Sequence, residues 1–149
     1  MVSFRPICCD TSFLFSLYGR DAFTVRAAAQ VAELKQVLTL STFNEFELWN
    51  SIRFAVCRGF LSADRGTRML TQLATDRSAG GFHIPQLDLP DVLAEARRLS
   101  AIHTLTGGHR AFDILHVAAA VRLNAGLFLS FDENQCGLAR SVGLTLAPD

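Results

Sequence analysis

The strongest candidates for chemistry are four acidic residues in separate segments of the chain, namely Asp10, Glu47, Asp113 and Asp132. Each stands next to apolar sequence, where an ionised carboxylate is costly unless a cation or a hydrogen-bond donor satisfies it. Ligands that are all oxygen atoms favour a hard cation such as Mg²⁺ or Mn²⁺. Such an ion could activate a water molecule for attack on phosphorus. The pattern therefore indicates metal-assisted hydrolysis.

Each of these acids also has a purely structural interpretation. Asp10 and Asp132 could cap the helices that follow them, and Asp113 could sit in the first turn of a helix, where the helix dipole favours an anion. Glu47 could be a surface carboxylate. Glu45 competes with it, because the predicted helix around both carries apolar residues on nearly all sides. The pattern alone does not choose between these interpretations.

Length and composition predict one compact domain over residues 1–149, since half of the residues are apolar and 12 of them are Phe. No apolar run approaches the ~20 residues that a membrane-spanning helix needs, and the N-terminus lacks the features of a secretion signal. We therefore expect a soluble, cytoplasmic protein with no membrane contact. The formal net charge of zero neither supports nor excludes a nucleic-acid substrate.

The four cysteines do not form a metal-binding pattern. They are Cys8, Cys9, Cys57 and Cys136, with no C-x-x-C spacing among them, and the four histidines are not grouped near them. We expect buried free thiols in a reducing compartment.

Short strands and helices alternate along the chain, which predicts an α/β fold with a mainly parallel sheet covered on both faces. We expect strands at residues 6–9, 37–40, 82–84, 127–131 and 144–146. Helices are predicted at 13–18, 21–35, 41–59, 62–75, 91–103, 110–124 and from just after 132 to about 142. Their predicted caps are Thr11 or Ser12, Asp21, Ser41 or Thr42, Ser62 and Asp91.

This arrangement would bring the acids together. Asp10 and Asp132 directly follow predicted strands, so both should project at the carboxyl edge of the sheet, where ligands bind in open α/β folds. Asp113 lies in the first turn of its helix. Glu47 shares a helical stripe with Asn50 and with two phenylalanines, and an inward face would aim it at the same edge.

Four segments with recognisable motifs occur in order over nearly the whole chain. They read CDTSFLFSLYG, FNEFELWNS, RAFDILHVAAAV and FLSFDENQCGLARSVGL, and together they resemble the PIN domain, in particular the VapC-type toxins of toxin–antitoxin pairs. The most specific part is D-x-x-H-x-A-x-A from Asp113 onward, followed by S-F-D at residues 130–132.

The resemblance implies a three-layer α/β/α fold and a Mg²⁺- or Mn²⁺-dependent endoribonuclease that hydrolyses RNA phosphodiester bonds. It implies that the acidic site comprises Asp10, Glu47, Asp113 and Asp132, with Ser130 where the family commonly has Thr or Ser. It selects Glu47 over Glu45, because F-E-L-W-N matches the family's usual L-E-L-x-N. No acidic position of the family pattern is missing.

Four further residues are candidates for a supporting role. Thr11 follows Asp10 directly, and Asn50 completes an E-x-x-N pattern with Glu47. Arg110 could bind a backbone phosphate or only balance the local acids. His116 could touch the site or the substrate, or could be a histidine that packs its helix.

The resemblance also implies partners besides RNA. Aromatic residues are concentrated in the first half of the chain, more than the cores of short helices need. Some could form an exposed apolar groove, in which the tail of a cognate antitoxin would lie. The family commonly forms homodimers, so part of this surface could be a homodimer contact.

Two other functions stay open at this point. One is a catalytically silent PIN-like module that binds RNA or protein without cutting it. The other is a phosphatase of the haloacid dehalogenase type, because Asp10 ends the first strand. That chemistry needs a second Asp two residues after the nucleophile, and Ser12 stands there instead. A phosphatase would form an aspartyl-phosphate, which a metal-dependent nuclease would not.

Overall fold

The structure is a computed structural model, and it describes residues 4–147. The strands, in chain order, are β1 (Ile7–Cys9), β2 (Leu38–Thr39), β3 (Phe82–His83) and β4 (Leu127–Leu129). The helices are α1 (Thr11–Tyr18), α2 (Thr24–Glu33), α3 (Thr42–Cys57), α4 (Ala63–Ser78), α5 (Leu89–Gly107), α6 (Ala111–Arg122) and α7 (Glu133–Ser141). The predicted alternation of strands and helices is confirmed.

All paired strands are parallel. β1 pairs with β4 so that Cys8 lies opposite Phe128, and β2 pairs with β3 so that Leu38 lies opposite Phe82. These are two two-stranded ladders; β1 also packs beside β2 with no ladder between these two strands as described, so the strands lie in the order β3, β2, β1, β4. Parallel strands end at one edge, and the first residues beyond β1 and β4 therefore meet there.

The last strands are shorter than predicted. β4 ends at Leu129 rather than at residue 131, and beyond it the backbone N–H of Asp132 turns back to the hydroxyl of Ser130. The predicted strand at 144–146 is reduced to one parallel bridge between Leu146 and Phe128. The N–H of Phe128 donates to the carbonyl of Thr145 at 2.8 Å, which anchors this segment at the edge of the sheet.

Two predicted helix starts are wrong, by one or two residues in α1 and by about one turn in α5. α1 is capped by Asp10 and not by Thr11 or Ser12, because the Asp10 carboxylate accepts the N–H of Phe13 at 2.8 Å. α5 is capped by Asp88 rather than by Asp91, with Pro90 in the first turn, where its missing N–H costs nothing.

Two other starts were predicted correctly and one was not. Ser41 caps α3 in a capping box with Asn44, and Ser62 caps α4. α2 begins at Thr24 rather than at Asp21, because the Asp21 carboxylate accepts the N–H of Phe23 in the preceding turn.

The core has two parts, one on each face of the sheet. Alternation along β1 sends Cys8 into the part formed with α5, α6 and α7, and sends Cys9 into the part formed with α1 to α4. Small buried residues at 118–120 let α6 approach β1 closely. These layers confirm the predicted three-layer α/β/α fold.

The thiols only partly follow the prediction. Cys8 and Cys9 are buried, but Cys57 is exposed at the end of α3 and Cys136 is half-buried. The prediction of burial was therefore wrong for Cys57, which ends α3 next to the exposed residues of the following turn. Among the described helices, none combines the length and the apolar character that crossing a membrane would require.

Candidate active site

A cleft of about 620 Å³ opens at the carboxyl ends of β1 and β4. Its lining includes all four acids predicted from the sequence, together with Thr11 and Arg110. The acids come from four different elements, so only the folded chain brings them together. Asp21 also lines the cleft, and sequence reasoning treated it only as a helix cap. No motif in the chain distinguishes Asp21 from other turn residues.

Asp10 is the most deeply buried of the acids, with 4% of its surface exposed. One carboxylate oxygen accepts the N–H of Phe13, and the other accepts the hydroxyls of Ser12 at 3.0 Å and Ser130 at 2.5 Å. Burial raises the pKa of Asp10, and the three hydrogen bonds offset this only in part. No Arg or Lys in the described chain forms an ion pair with Asp10, so its charge is balanced mainly by neutral dipoles.

Ser130 connects Asp10 with Asp132. Its hydroxyl donates to Asp10 and also accepts the N–H of Asp132 at 3.0 Å. Asp132 in turn caps α7 by accepting the N–H of Gln135 at 2.9 Å. The structural and the chemical interpretations of Asp10 and Asp132 are therefore compatible, because each residue caps a helix and lines the cleft.

Asp113 lies in the first turn of α6, as predicted. Its carboxylate pairs with Arg110 at 3.2 Å, and the Arg110 side chain is 84% exposed. The backbone carbonyl of Asp113 accepts a hydrogen bond from the amide of Gln135 at 2.9 Å, which ties α6 to α7. Arg110 is thus an exposed cation at the rim of the cleft, within reach of an anionic ligand.

Glu47 and Glu45 have different surroundings in the structure. Glu47 lines the cleft, and its carboxylate lies 2.9 Å from Nε2 of His116. Glu45 projects toward α4 and pairs with Arg77 at 2.6 Å. Burial alone would raise the pKa of Glu47, but hydrogen bonds from His116 and Thr11, with the nearby charge of Arg110, lower it overall. Glu47 is therefore ionised at neutral pH.

His116 lies behind the cleft rather than in it. Its side chain is fully buried, and its ring nitrogens contact Thr11, Asn44 and Glu47. Sequence reasoning singled out His116 and Thr11 but missed Asn44. Asn50 lines a neighbouring groove with Phe46 and does not line the acidic cleft.

The donor set is suited to a hard divalent ion, because it consists of carboxylate oxygens that face one cleft. Within residues 4–147, however, no three Asp, Glu, His or Cys side chains are grouped closely enough to hold one ion between them. Mg²⁺ is commonly held by only one or two carboxylates and keeps several waters. The residues present therefore fit such an ion by their chemistry.

The family model described as PIN domain matches residues 7–141. Among solved structures, VapC20 from Mycobacterium tuberculosis, a sarcin–ricin loop cleaving toxin, is similar at a TM-score of 0.69 and 18% identity, covering 93% of this chain and 96% of that chain. FitAcB from Neisseria gonorrhoeae is similar at a TM-score of 0.67 and 17% identity, covering 95% of this chain and 96% of its own.

VapBC2 from Rickettsia felis, bound to a DNA fragment from its promoter, is similar at a TM-score of 0.64 and 12% identity, again covering 95% of this chain and 96% of that chain. A search of curated protein sequences found no match. The solved structures share the fold of this chain over nearly its full length.

Proposed function

The chain belongs to the PIN domain family, and we propose that it is a Mg²⁺- or Mn²⁺-dependent endoribonuclease that acts as the toxin of a toxin–antitoxin pair. One observation carries the proposal: four acids from four separate elements line a single cleft. We propose that residues 1–149 form one nuclease domain around it.

In this proposal Asp10, Glu47, Asp113 and Asp132 are the catalytic residues and the metal ligands. A divalent ion held there would polarise the scissile phosphodiester and the attacking water. The chain itself supplies negative charge in fixed positions, since Glu47 is ionised at neutral pH and Asp10 is held by three donors. Ser130 would keep the Asp10 and Asp132 carboxylates in a constant relation to each other.

The surface next to the cleft supports RNA as the substrate. A second groove shares Phe15, Glu47 and Phe112 with the acidic cleft and adds the exposed ring of Phe46. Unpaired bases stack on such rings, and Arg110 at the rim could bind a backbone phosphate. A strand bound for hydrolysis would therefore extend from the acids onto aromatic surface.

The same aromatic groove supports an antitoxin partner. Phe13 is buried and Phe15 is partly buried, but Phe46, Phe54 and Phe60 remain exposed around the groove. An apolar antitoxin tail lying there would cover the approach to the acids and would inhibit cleavage. Homodimer formation is a further proposal, supported by the exposed apolar residues Ile102 and Leu105 on α5.

A cleavage assay with purified full-length protein tests the nuclease proposal. We expect single-stranded and structured RNAs to be cut when Mn²⁺ or Mg²⁺ is present and to stay intact in EDTA. Asp113→Asn should abolish cleavage without unfolding the chain. Asp64→Asn is the matched control, because Asp64 also lies in the first turn of a helix and pairs with an arginine, but on the exposed surface of α4. Equal activity of Asp113→Asn and Asp64→Asn would refute the site assignment.

A second candidate function is a PIN-like module that binds RNA without cutting it. It is favoured by the fact that no group of three metal-binding side chains is found in the described part of the chain. Binding of RNA by the wild type, with no cleavage across Mg²⁺, Mn²⁺, Co²⁺ and Zn²⁺, would support this module and overturn the nuclease.

A further inference from the structure

His116 is a buried histidine with hydrogen-bond partners on both ring nitrogens. Nδ1 lies 3.2 Å from Nδ2 of Asn44, and Nε2 lies 2.9 Å from Oε1 of Glu47 and 3.0 Å from Oγ1 of Thr11. A neutral imidazole has one donor and one acceptor, so its partners decide which nitrogen carries the proton. The identity of each partner therefore determines what His116 can do for Glu47.

The side-chain amide of Asn44 can take only one orientation. Its oxygen accepts the N–H and the hydroxyl of Ser41 at 3.0 and 3.1 Å, and its nitrogen donates to the carbonyl of Cys9 at 3.1 Å. A flipped amide would set two donors against each other at Ser41 and two acceptors against each other at Cys9. The group that faces Nδ1 of His116 is consequently an N–H donor.

Because Asn44 donates to Nδ1, that nitrogen must accept, and the proton of the neutral ring resides on Nε2. The Nε2–H group then points at the Glu47 carboxylate, which can only accept. Thr11, at 3.0 Å from the same nitrogen, accepts a share of this N–H and also hydrogen-bonds Glu47. Each contact of His116 is thus satisfied by a single arrangement of protons.

We propose that Asn44 and His116 are positioning residues: Asn44 holds His116 in its Nε2–H form, and His116 in turn aims Glu47 at the acidic cleft. The inference rests on the proposed function only for what the positioned carboxylate does there. Neither residue touches the cleft, and each acts through Glu47.

The hydrogen bond between Asn44 and the Cys9 carbonyl also links Glu47 to Asp10. The Cys9 carbonyl that orients Asn44 belongs to the residue directly before Asp10. The hydrogen bonds therefore run from the end of β1 through α3 to α6, and they set Glu47 relative to Asp10. A glutamate has three rotatable side-chain bonds, so without this restraint the carboxylate would lose part of its orientation.

The first test reads the tautomer directly. Two-bond ¹H–¹⁵N spectra of ¹⁵N-histidine-labelled full-length protein should show His116, identified by its loss in His116→Gln, with a protonated Nε2 and a bare Nδ1. In Asn44→Asp, which replaces the donor by an acceptor, the proton should appear on Nδ1. A wild-type His116 protonated at Nδ1, or an unchanged tautomer in folded Asn44→Asp, would overturn the role of Asn44.

The second test compares His116→Gln with His116→Asn. The amide nitrogen of Gln reaches the Nε2 position and can still donate to Glu47, whereas the shorter Asn reaches only the Nδ1 position. We expect His116→Gln to keep the wild-type affinity for Mn²⁺ within about threefold. His116→Asn should lose roughly tenfold in affinity, because it lacks the hydrogen bond to Glu47. Titration of Mn²⁺ into full-length protein measures this without any cleavage assay.

The outcomes separate the inference from the proposed function. Equal Mn²⁺ affinities for the two variants, or losses that only follow their unfolding midpoints, would reduce His116 to a packing residue. A wild type that binds Mn²⁺ but cuts no RNA would refute the nuclease and leave the positioning intact. If the wild type binds no Mn²⁺, both the metal site and the positioning of Glu47 for a metal are refuted. The tautomer spectra would still decide whether Asn44 controls the protonation of His116.

Discussion

The two walls of the cleft stabilise their carboxylates in different ways. The Asp10 wall, made of Asp10 and Ser12 and backed by Ser130, surrounds a buried carboxylate with hydroxyl and backbone N–H donors. The Glu47 wall, made of Glu47 and Thr11 and backed by the buried His116, holds a partly exposed carboxylate against an imidazole N–H. Burial raises the pKa of Asp10, whereas the hydrogen bonds outweigh burial and lower that of Glu47.

Of the two walls, the Asp10 wall is therefore the one that is short of positive charge. A carboxylate whose folded pKa is raised destabilises the fold as the pH rises through that pKa, and a bound cation would relieve the cost. A carboxylate whose folded pKa is lowered contributes stability above its unfolded pKa, and this is lost as the pH falls through the folded pKa. Substitutions on the two walls should therefore have opposite effects on stability.

The largest effect is expected for Asp10→Asn. Cleavage should fall by at least about 100-fold, since a lost metal ligand removes several kcal/mol of transition-state stabilisation. The free energy of unfolding at pH 7 should rise by roughly 1 kcal/mol, because Asn caps α1 nearly as well and carries no buried charge. Urea denaturation at pH 7 and pH 5 measures this, and the gain should shrink at pH 5.

The control for this substitution is Asp88→Asn at the exposed cap of α5, which should change neither stability nor cleavage appreciably. A loss of stability in Asp10→Asn larger than in Asp88→Asn would contradict the view that Asp10 is an uncompensated charge.

Addition of Mn²⁺ should stabilise the wild type by about 2.7 kcal/mol at one hundred times its dissociation constant. The gain should vanish in Asp10→Asn and be reduced in Glu47→Gln, because the first wall lacks a cation and the second already has a donor. Thermal unfolding with and without Mn²⁺, and after removal of the ion with EDTA, measures the gain. Equal gains in all three proteins would place the ion elsewhere.

Glu47→Gln should have a smaller effect, of the opposite sign on stability. We expect cleavage to drop about tenfold and the free energy of unfolding at pH 7 to fall by roughly 0.5–1.5 kcal/mol, the value of a hydrogen bond that loses its charged acceptor. Glu45→Gln is the control on the same helix, facing α4. An increase in stability for Glu47→Gln would remove the distinction between the walls.

Arg110→Gln should change stability by less than about 0.5 kcal/mol, because exposed ion pairs contribute little. Its effect should instead be a rise of a few-fold in KM for RNA, caused by one lost phosphate contact. Arg68→Gln, which breaks a similarly exposed pair on α4, should leave KM unchanged. Matching KM values for the two variants would remove Arg110 from the substrate path.

The smallest effect is expected for alkylation of the native protein with iodoacetamide. Burial raises the pKa of Cys8 to about 12, and burial followed by the charge of Asp10 raises that of Cys9, so neither thiol of β1 should react. Cys57, at the end of the helix that carries Glu47, should be labelled first without loss of cleavage. Mass spectrometry after short exposure checks this, and labelling of Cys9 in folded protein would mean that the Asp10 wall opens.

Much of the fold could be predicted from local sequence. The apolar run at β1, the periodic patterns of the helices and the caps at Ser41 and Ser62 are local features that the chain displays without its tertiary context. The start of α1 was harder, because Asp10, Thr11 and Ser12 are all good caps. The cap is Asp10 because its carboxylate, at the end of β1, is the group that accepts the N–H of Phe13.

The residues of the site likewise differ in whether the sequence alone could reveal them. The four acids stand out because carboxylates beside apolar segments are unusual, and their types alone indicate an oxygen-lined site. Asn44 and Asp21 could not be found in this way, since a polar residue in a first helical turn, or in the turn before a helix, is ordinary. The role of Asn44 arises from contacts with residues far away in the chain, such as its contact with His116.

Local patterns in the sequence predicted the α/β class and singled out the four acids, because hydrophobic periodicity and residue chemistry are local properties of the chain, and the ordered motifs indicated the family and favoured Glu47 over Glu45. The packed structure was needed to show that Glu47 lines the cleft while Glu45 pairs with Arg77, that Asp10 is buried among neutral donors, and that Asn44 contacts His116. These features depend on burial and on hydrogen-bond direction between distant segments, which exist only after the sheet and helices have packed.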